Sequence, residues 1–442
     1  MILNTIIQIL LCICLIASII MFMPGSILLD VRPKIYPAQL PVSLEKFDRL
    51  EDLKVDEFIR INLDNNNTVP ESIAMYQGHL VTGSADGTLY LIKQNDNTVQ
   101  PLVKIIDDKT IAKHGHHLPI ILGMQFDSKG VLFAVVLNYG IYKVEGIFKI
   151  TTKMNIKVSE VLSVEQTQTS TGVLSQFLDD IAIEERPNGE HVLYITDLST
   201  RYDFSQVALS LLSVDYSGRL LRYDMAENRL DILANSLLCP NGIVLLPDKS
   251  ALLFTDFSKS VNKYWLRGSN SGKLEKIITN LPAELDNIRP SINGKTYWLA
   301  MSNPRAIKKP SEFDYFLKKP WLRTLILRTL HLVGMIFDIV NQIIPSVDFI
   351  GKLANDLQTV QGIHPLSELH ISNGGMMIEF DSDGKIYQSI YTHDEKLKLM
   401  SEVREIPSKR SGQRTLYIGS WMLPYVRKLV ISTEPSKRKT FK

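Results

Sequence analysis

A recurring block narrows the fold more than anything else in this chain. A short apolar or aromatic run is followed by a polar step and a turn carrying Gly or Asp. It recurs at His79–Tyr90, Gly130–Val135, His191–Asp197, Ala251–Asp256, Thr296–Met301, Lys385–Ile390 and Thr415–Ser420. Turn dipeptides punctuate it at Asp86-Gly87, Lys129-Gly130, Asn188-Gly189, Ser217-Gly218, Asn293-Gly294 and Asp383-Gly384. Such pairs tolerate the positive φ of tight hairpins. Many short strands without βαβ alternation point to an all-β repeat architecture. The chain has 442 residues, too many for one ordinary core but not for repeats that bury their faces on one another. About six blocks fit between residues 55 and 430. The expected fold is therefore a six-bladed β-propeller over residues 55–432, and a β-sandwich is the alternative.

Residues Ile2 to Met23 carry no charge, and Pro24-Gly25 follows. Roughly 20 apolar residues span a bilayer core. The run exceeds the h-region of a cleaved signal peptide and lacks a basic n-region, so residues 1–24 read as a retained transmembrane signal-anchor. Residues 25–54, with Arg32-Pro33, Tyr36-Pro37 and Leu40-Pro41, read as a stalk, and residues 433–442 as a basic tail. Arg32 and Lys34 alone would place the C-terminal side in the cytosol, a weak bias that large domains override. Cys12 and Cys14 lie in the apolar run, so Cys239 has no disulfide partner in the folded domain. Asn66-Asn67-Thr68 is a glycosylation sequon, with Asn66 as acceptor. A formal net charge of +2 gives no case for nucleic acid.

From about 311 to 361 the period of two is lost. Trp321, Leu322, Leu325, Ile326, Leu330, Val333 and Phe337 recur near helical spacing, with Lys318, Lys319, Arg323 and Arg328 between them. Arg328, His331, Asp338 and Asn341 argue against a second membrane span. Two readings stay open: a helical cap on the propeller face, or an interfacial helix touching lipid.

The chemistry-bearing residues are Glu71, Asp179-Asp180, Asp197, Asn241, Asp256 and Asp286-Asn287, each beside a strand-like segment. Singly, each reads as a turn residue. As a set they suggest a ring in which each repeat sends an oxygen toward a shared axis, where a hard cation such as Ca²⁺ collects about 6–8 oxygen ligands. His114-Gly115-His116-His117 does not match structural zinc spacing and reads as a solvated loop. Cys239 reads as a buried thiol, and Arg289 as a partner for the neighbouring carboxylates. No Gly-x-Ser-x-Gly elbow is present.

Several motifs together resemble the strictosidine synthase-like family: Pro70-Glu71-Ser72-Ile73, Gly83-Ser84-Ala85-Asp86-Gly87, Pro240-Asn241-Gly242, Asp286-Asn287-Ile288-Arg289-Pro290, Tyr297 to Ser302, and the insert segment Phe313 to Trp321. The resemblance runs from about residue 65 to the C-terminus. It implies a six-bladed propeller distantly related to paraoxonases. It also implies a single-pass type II protein of the endoplasmic reticulum or plasma membrane, with the propeller lumenal or extracellular. The activity it implies is hydrolysis of aryl esters or lactones, dependent on Ca²⁺. The positions matching the metal ligands are Glu71, Asp179, Asn241, Asp286 and Asn287, and Asp179 or Glu71 would serve as base. Two departures stand out. Asp179-Asp180 replaces the family's Asn-Asp, and the paraoxonase histidine dyad falls on Leu122 and Leu137. The missing histidines favour an alternative, a catalytically weak propeller that scaffolds protein partners at the membrane. An alkaloid-forming condensation would need a tunnel glutamate that the sequence does not locate.

Overall fold

The structure, a computed structural model, describes residues 2–31, 34–36, 44, 47–63, 69–115, 117–148, 156–168, 172–305, 316, 318–345, 348–359 and 374–432. The expected sequon at Asn66, the basic tail and His116 lie outside them. Two compact units are formed. The larger comprises residues 38–201, 216–309 and 372–442; the smaller, residues 1–37, 202–215 and 310–371.

The larger unit is all-β, with six small sheets among the described residues. Sheet 1 holds Ile73–Tyr76, His79–Thr82, Thr88–Lys93 and Thr98–Lys104. Sheet 2 holds Ile121–Phe126, Leu132–Val136, Gly140–Glu145 and Lys157–Ser163. Sheet 3 holds Phe177–Glu185, His191–Ser199, Gly218–Asp224 and Arg229–Leu237. Sheet 4 holds Ile243–Leu245, Ala251–Asp256, Ser260–Trp265 and Leu274–Ile278. Sheet 5 holds Glu284–Pro290, Thr296–Ser302, Gly375–Asp381 and Ile386–Thr392, with Asp48–Arg49 added in parallel at its edge. Sheet 6 holds Met400–Ile406, Gln413–Ser420 and Tyr425–Ser432, and its fourth strand is Val55–Asn62 from the other end of the chain. That strand pairs antiparallel, Phe58 opposite Leu429, so distant parts of the sequence share one sheet.

The first strand of each sheet contacts that of the next, and sheet 6 contacts sheet 1, so the series closes on itself. Both faces of each sheet are therefore covered. Val81 and Leu89 of sheet 1 pack with Met124, Leu132 and Ala134 of sheet 2. Leu253 and Val261 of sheet 4 pack with Leu299, Met301 and Ile378 of sheet 5. Double-sided burial explains why inner strands read as continuous apolar runs rather than alternating ones.

The smaller unit is helical. It contains α1 (Ile2–Phe22). After α2 (Asp108–Lys113), which belongs to the larger unit, come α3 (Val207–Ser213), α4 (Pro320–Ile343) and α5 (Asp348–Thr359). Pro320 opens α4, where its missing N–H costs nothing. Gly334 lets α4 and α5 approach closely, since a Cβ there would lie 2.9 Å from Ala354 O. Val31, Tyr202, Leu209 and Leu327 form a small core.

One expectation changes and one is refined. Residues 25–54 are not a free stalk: Val31 is buried in the helical core, and Leu44 and Leu50 in cores of the β unit. The insert is a helical pair, and α4, with mean hydropathy 1.4, is long and apolar enough to cross a membrane despite its charges.

Candidate metal centre

Each first strand breaks register, or begins, at the same place. In sheet 2, Leu122-Gly123 interrupts the ladder between Ile121↔Val136 and Met124↔Ala134. In sheet 3, Asp179-Asp180 falls between Leu178↔Asp197 and Ile181↔Ile195. In sheet 5, Asp286-Asn287 falls between Leu285↔Met301 and Ile288↔Leu299. In sheet 6, Ser401-Glu402 falls between Met400↔Ser420 and Val403↔Ile418. In sheets 1 and 4, pairing starts just after Glu71-Ser72 and Asn241-Gly242, at Ile73↔Thr82 and Ile243↔Phe254. Irregularities of this kind re-aim side chains that a regular pleat would bury in the sheet-to-sheet core. The apolar residue that follows resumes the ladder and anchors the strand.

These dipeptides meet. Asn287 Nδ2 donates to Glu71 Oε1 at 2.6 Å. Ser72 Oγ donates to Glu402 Oε2 at 2.8 Å. The Arg289 guanidinium donates to both oxygens of Asp180, at 2.6 and 3.0 Å, and its Nη2 to Ser72 Oγ at 3.1 Å. Arg289 Nε lies 2.8 Å from Glu402 Oε2. Arg404 donates to Glu402 Oε1 at 3.2 Å. The backbone of Ile243 donates to Asp180 Oδ2 at 2.8 Å. Thr255 Oγ1 donates to the Asp286 carbonyl at 2.9 Å. Gly242 lies against the Asp286–Ile288 backbone, where a Cβ would come within 2.4 Å of Asn287 Cα, so Asn241 joins the group. Cys239, buried just upstream, has φ +47° and turns the chain into Pro240-Asn241.

The electrostatics are those of a buried anionic hub. Burial raises the Glu71 carboxyl well above its ordinary pKa, and Asp286, Asp179, Glu402 and Asp180 add to the rise. Asp179 is raised by burial and then by Asp180. Asp286 is raised by burial and then by Asp179 and Asp180. Burial would lower the Arg289 guanidinium, yet Asp180 and Glu402 hold it above its ordinary value. Five carboxylates face two guanidiniums, Arg289 and Arg404, so negative charge is in excess.

Glu71 Oε2, Asn241 Oδ1 and Asn287 Oδ1 are buried and receive no hydrogen bond from any described residue. A buried acceptor without a donor is costly. Three such oxygens beside uncompensated carboxylates fit a hard divalent cation, whose ligands are carboxylate and amide oxygens.

Not every expected residue belongs here. Asp197 is held by Arg219 Nε at 2.6 Å and Ser175 Oγ at 2.7 Å, and burial pushes its carboxyl up to about 6. Asp256 accepts from Ser258 Oγ at 2.5 Å, and Lys276 donates to the same hydroxyl at 2.7 Å. Both serve their own sheets. Arg289 is paired as expected, but with Asp180 and Glu402 rather than with the adjacent Asp286. Glu402 and Arg404 escaped the sequence reading. The signal for them was positional: Ser-Glu-Val at 401–403 occupies the slot of Asp-Asp-Ile and Asp-Asn-Ile in sheets 3 and 5. His114 and His117 are exposed, as a solvated loop requires. Leu122 and Leu137, where a histidine dyad would fall, are both buried. A separate cluster of Asp127, Glu185 and His191 is used by its own turn, whose Ser128 and Val131 backbone amides donate to Glu185 and Asp127.

The family model described as strictosidine synthase matches residues 179–269, which run through sheets 3 and 4. A Danio rerio protein named adipocyte plasma membrane-associated protein is 27% identical over 366 residues, 82% of this chain and 75% of that one. The Arabidopsis thaliana protein strictosidine synthase-like 10 is 29% identical over 254 residues, 57% of this chain and 56% of that one. Among solved structures, a putative gluconolactonase covers 89% of this chain and 98% of its own length at 12% identity and TM-score 0.45. The resemblance read from the motifs thus holds across most of the sequence, and the chain is a relative of the strictosidine synthase-like and adipocyte plasma membrane-associated proteins.

Proposed function

We propose that this chain is a membrane-anchored six-bladed β-propeller that binds one Ca²⁺ at its hub and hydrolyses esters or lactones. The closed series of six sheets supports the blade count. The three donor-less oxygens of Glu71, Asn241 and Asn287, in a hub where Asp286 and Asp179 act on the Glu71 carboxyl, carry the metal reading. The ester class comes from the family resemblance. The charge-free α1 is the anchor, in type II orientation.

When bound, the cation would polarise a carbonyl oxygen and acidify a water. The chain's own residues do the rest. Asn287 fixes one Glu71 oxygen by its amide, leaving the other free. Arg289 holds Asp180, and together with Arg404 holds Glu402, in ion pairs that fix both carboxylates in place. Glu71, raised by burial and by Asp286 and Asp179, and Asp179, raised by burial and by Asp180, are the carboxylates suited to take a proton from water.

The test is hydrolysis of phenyl acetate and of an aliphatic lactone by the full chain in detergent, with and without chelator. Activity lost on chelation, restored by Ca²⁺ and reduced in Asn241→Ala supports the reading. Activity indifferent to both treatments refutes the metal mechanism. Buried Leu122 and Leu137 favour a second reading, a catalytically weak scaffold for protein partners. Ca²⁺ binding without turnover of either substrate would select it.

A further inference from the structure

Arg328 of α4 is buried at the end of α1. Its Nη1 donates to the carbonyls of Ile20, Met21 and Met23 at 3.2, 2.7 and 2.9 Å, and its Nε to Leu29 O at 3.1 Å. The last carbonyls of a helix have no partner within it, and leaving them bare near hydrocarbon is costly. Arg328 therefore caps α1 and fixes the level of α4 at the point where α1 ends.

At 100° per residue, Trp321, Ile336, Ile339 and Ile343 fall within one arc of about 60°, and all four are exposed. Of the buried positions, Arg323, Leu327 and Gly334 lie on the far side, whereas Arg328 lies about 20° from Trp321 and Ile339, where it meets the end of α1. The exposed positions stand at the two ends of this arc, about 33 Å apart, and between them Leu325 and Leu332 are half-buried and Arg328 is buried. Ile344, just past the helix, and Phe349 of α5 are exposed as well. The same unit exposes Leu15, Ile19 and Phe22 on α1, so the arc is continuous in chemistry with the anchor.

By length α4 could cross a bilayer, but its faces argue otherwise. A spanning helix is apolar all round, whereas one that lies on a surface is apolar along one side. Arg323 binds the carbonyls of Leu212, in the last turn of α3, and of Lys34, so that side of α4 is taken up by the protein's own backbone. Asp338 is exposed on the flank, roughly 130° from the middle of the arc.

We propose that the Trp321–Ile339–Ile343 face of α4 lies in the interfacial layer of the bilayer beside the exit of α1, with phospholipid acyl chains as its occupant. This rests on the reading of α1 as a membrane anchor. The helical unit then touches the membrane along a helix as well as at a point, which restricts the tilt of that unit.

The full chain, reconstituted into phosphatidylcholine vesicles, is tested with bromine-labelled lipids that quench tryptophan. Shallow bromines should quench part of the emission, and Trp321→Phe should remove at least half of that quenching. In the Trp321→Phe background, Ile343→Trp should restore it and Asp338→Trp should not. Unchanged quenching in Trp321→Phe, or equal quenching at 338 and 343, overturns the inference. Quenching at 321 by shallow bromines and at 343 only by deep ones means that α4 crosses the bilayer, and also overturns it. Release of the chain by alkaline carbonate removes the anchor reading and this one together, whereas retention with unchanged quenching removes this one alone.

Discussion

Asn287 donates its amide to Glu71 Oε1 at 2.6 Å across 216 residues of sequence, joining sheet 5 to sheet 1. One contact does two things: it closes the hub and leaves an acceptor on each partner, Glu71 Oε2 and Asn287 Oδ1, without a donor. Asn287→Ala removes one candidate ligand and the group that orients another. Orienting partners of metal ligands are worth about 10–100-fold in affinity. Calorimetric titration of the full chain with Ca²⁺ should show a loss of that size, and an unchanged affinity would place the cation elsewhere.

Arg289 is a fixed internal cation. It pairs with Asp180 of sheet 3 and with Glu402 of sheet 6, and donates to Ser72 beside sheet 1. Arg289→Met leaves both carboxylates buried without it. Breaking a buried pair by removing one partner costs about 3–5 kcal/mol, so the urea midpoint should fall sharply. Arg289→Lys should rescue little, because an ammonium cannot reproduce the two-oxygen fork on Asp180.

How far the sequence foretold this hub depends on which force positions each residue. Glu71, Asp179-Asp180, Asn241 and Asp286-Asn287 were visible because polar residues beside apolar runs break the pattern that burial imposes, and the family resemblance narrowed the ligands to Glu71, Asp179, Asn241, Asp286 and Asn287. Asp197 and Asp256 break it equally, and only the fold reveals that Arg219 and Ser258 take them. Glu402 was hidden because its neighbours Arg404 and Glu405 make the strand look like a solvated charged edge, whereas all three are buried. The strand blocks were legible from turn dipeptides. The burial of Val31, Leu44 and Leu50 was not, since isolated apolar residues among prolines carry no period.

Gly123 reports on a constraint that no titration would find. A Cβ there would sit 2.1 Å from Asp180 Oδ1 and 2.9 Å from the Asp179 carbonyl. Asp180 cannot yield, because Arg289 and the Ile243 amide hold it. Gly123→Ala should therefore destabilise the chain by about 1–3 kcal/mol, as overpacking does. It should also weaken Ca²⁺ binding by displacing Asp179. A stable variant with unchanged affinity would mean that sheets 2 and 3 are looser than this packing requires.

Asp197 gives a pH signature away from the hub. Burial raises its carboxyl from 3.8 to about 6, despite Arg219 and Ser175, which pull it down. A raised acid favours the folded state when protonated. Its contribution is full below the ordinary value and is lost as pH rises through about 6. Over that window the group should cost the folded chain about 3 kcal/mol. Asp197→Asn keeps an oxygen for Arg219 and the Ser175 hydroxyl but takes up no proton. Denaturant unfolding at several pH values across the window should show stability falling with pH in the parent and falling less in the variant. Identical slopes would mean that Arg219 keeps Asp197 ionised throughout, and that the guanidinium outweighs the cost of burial.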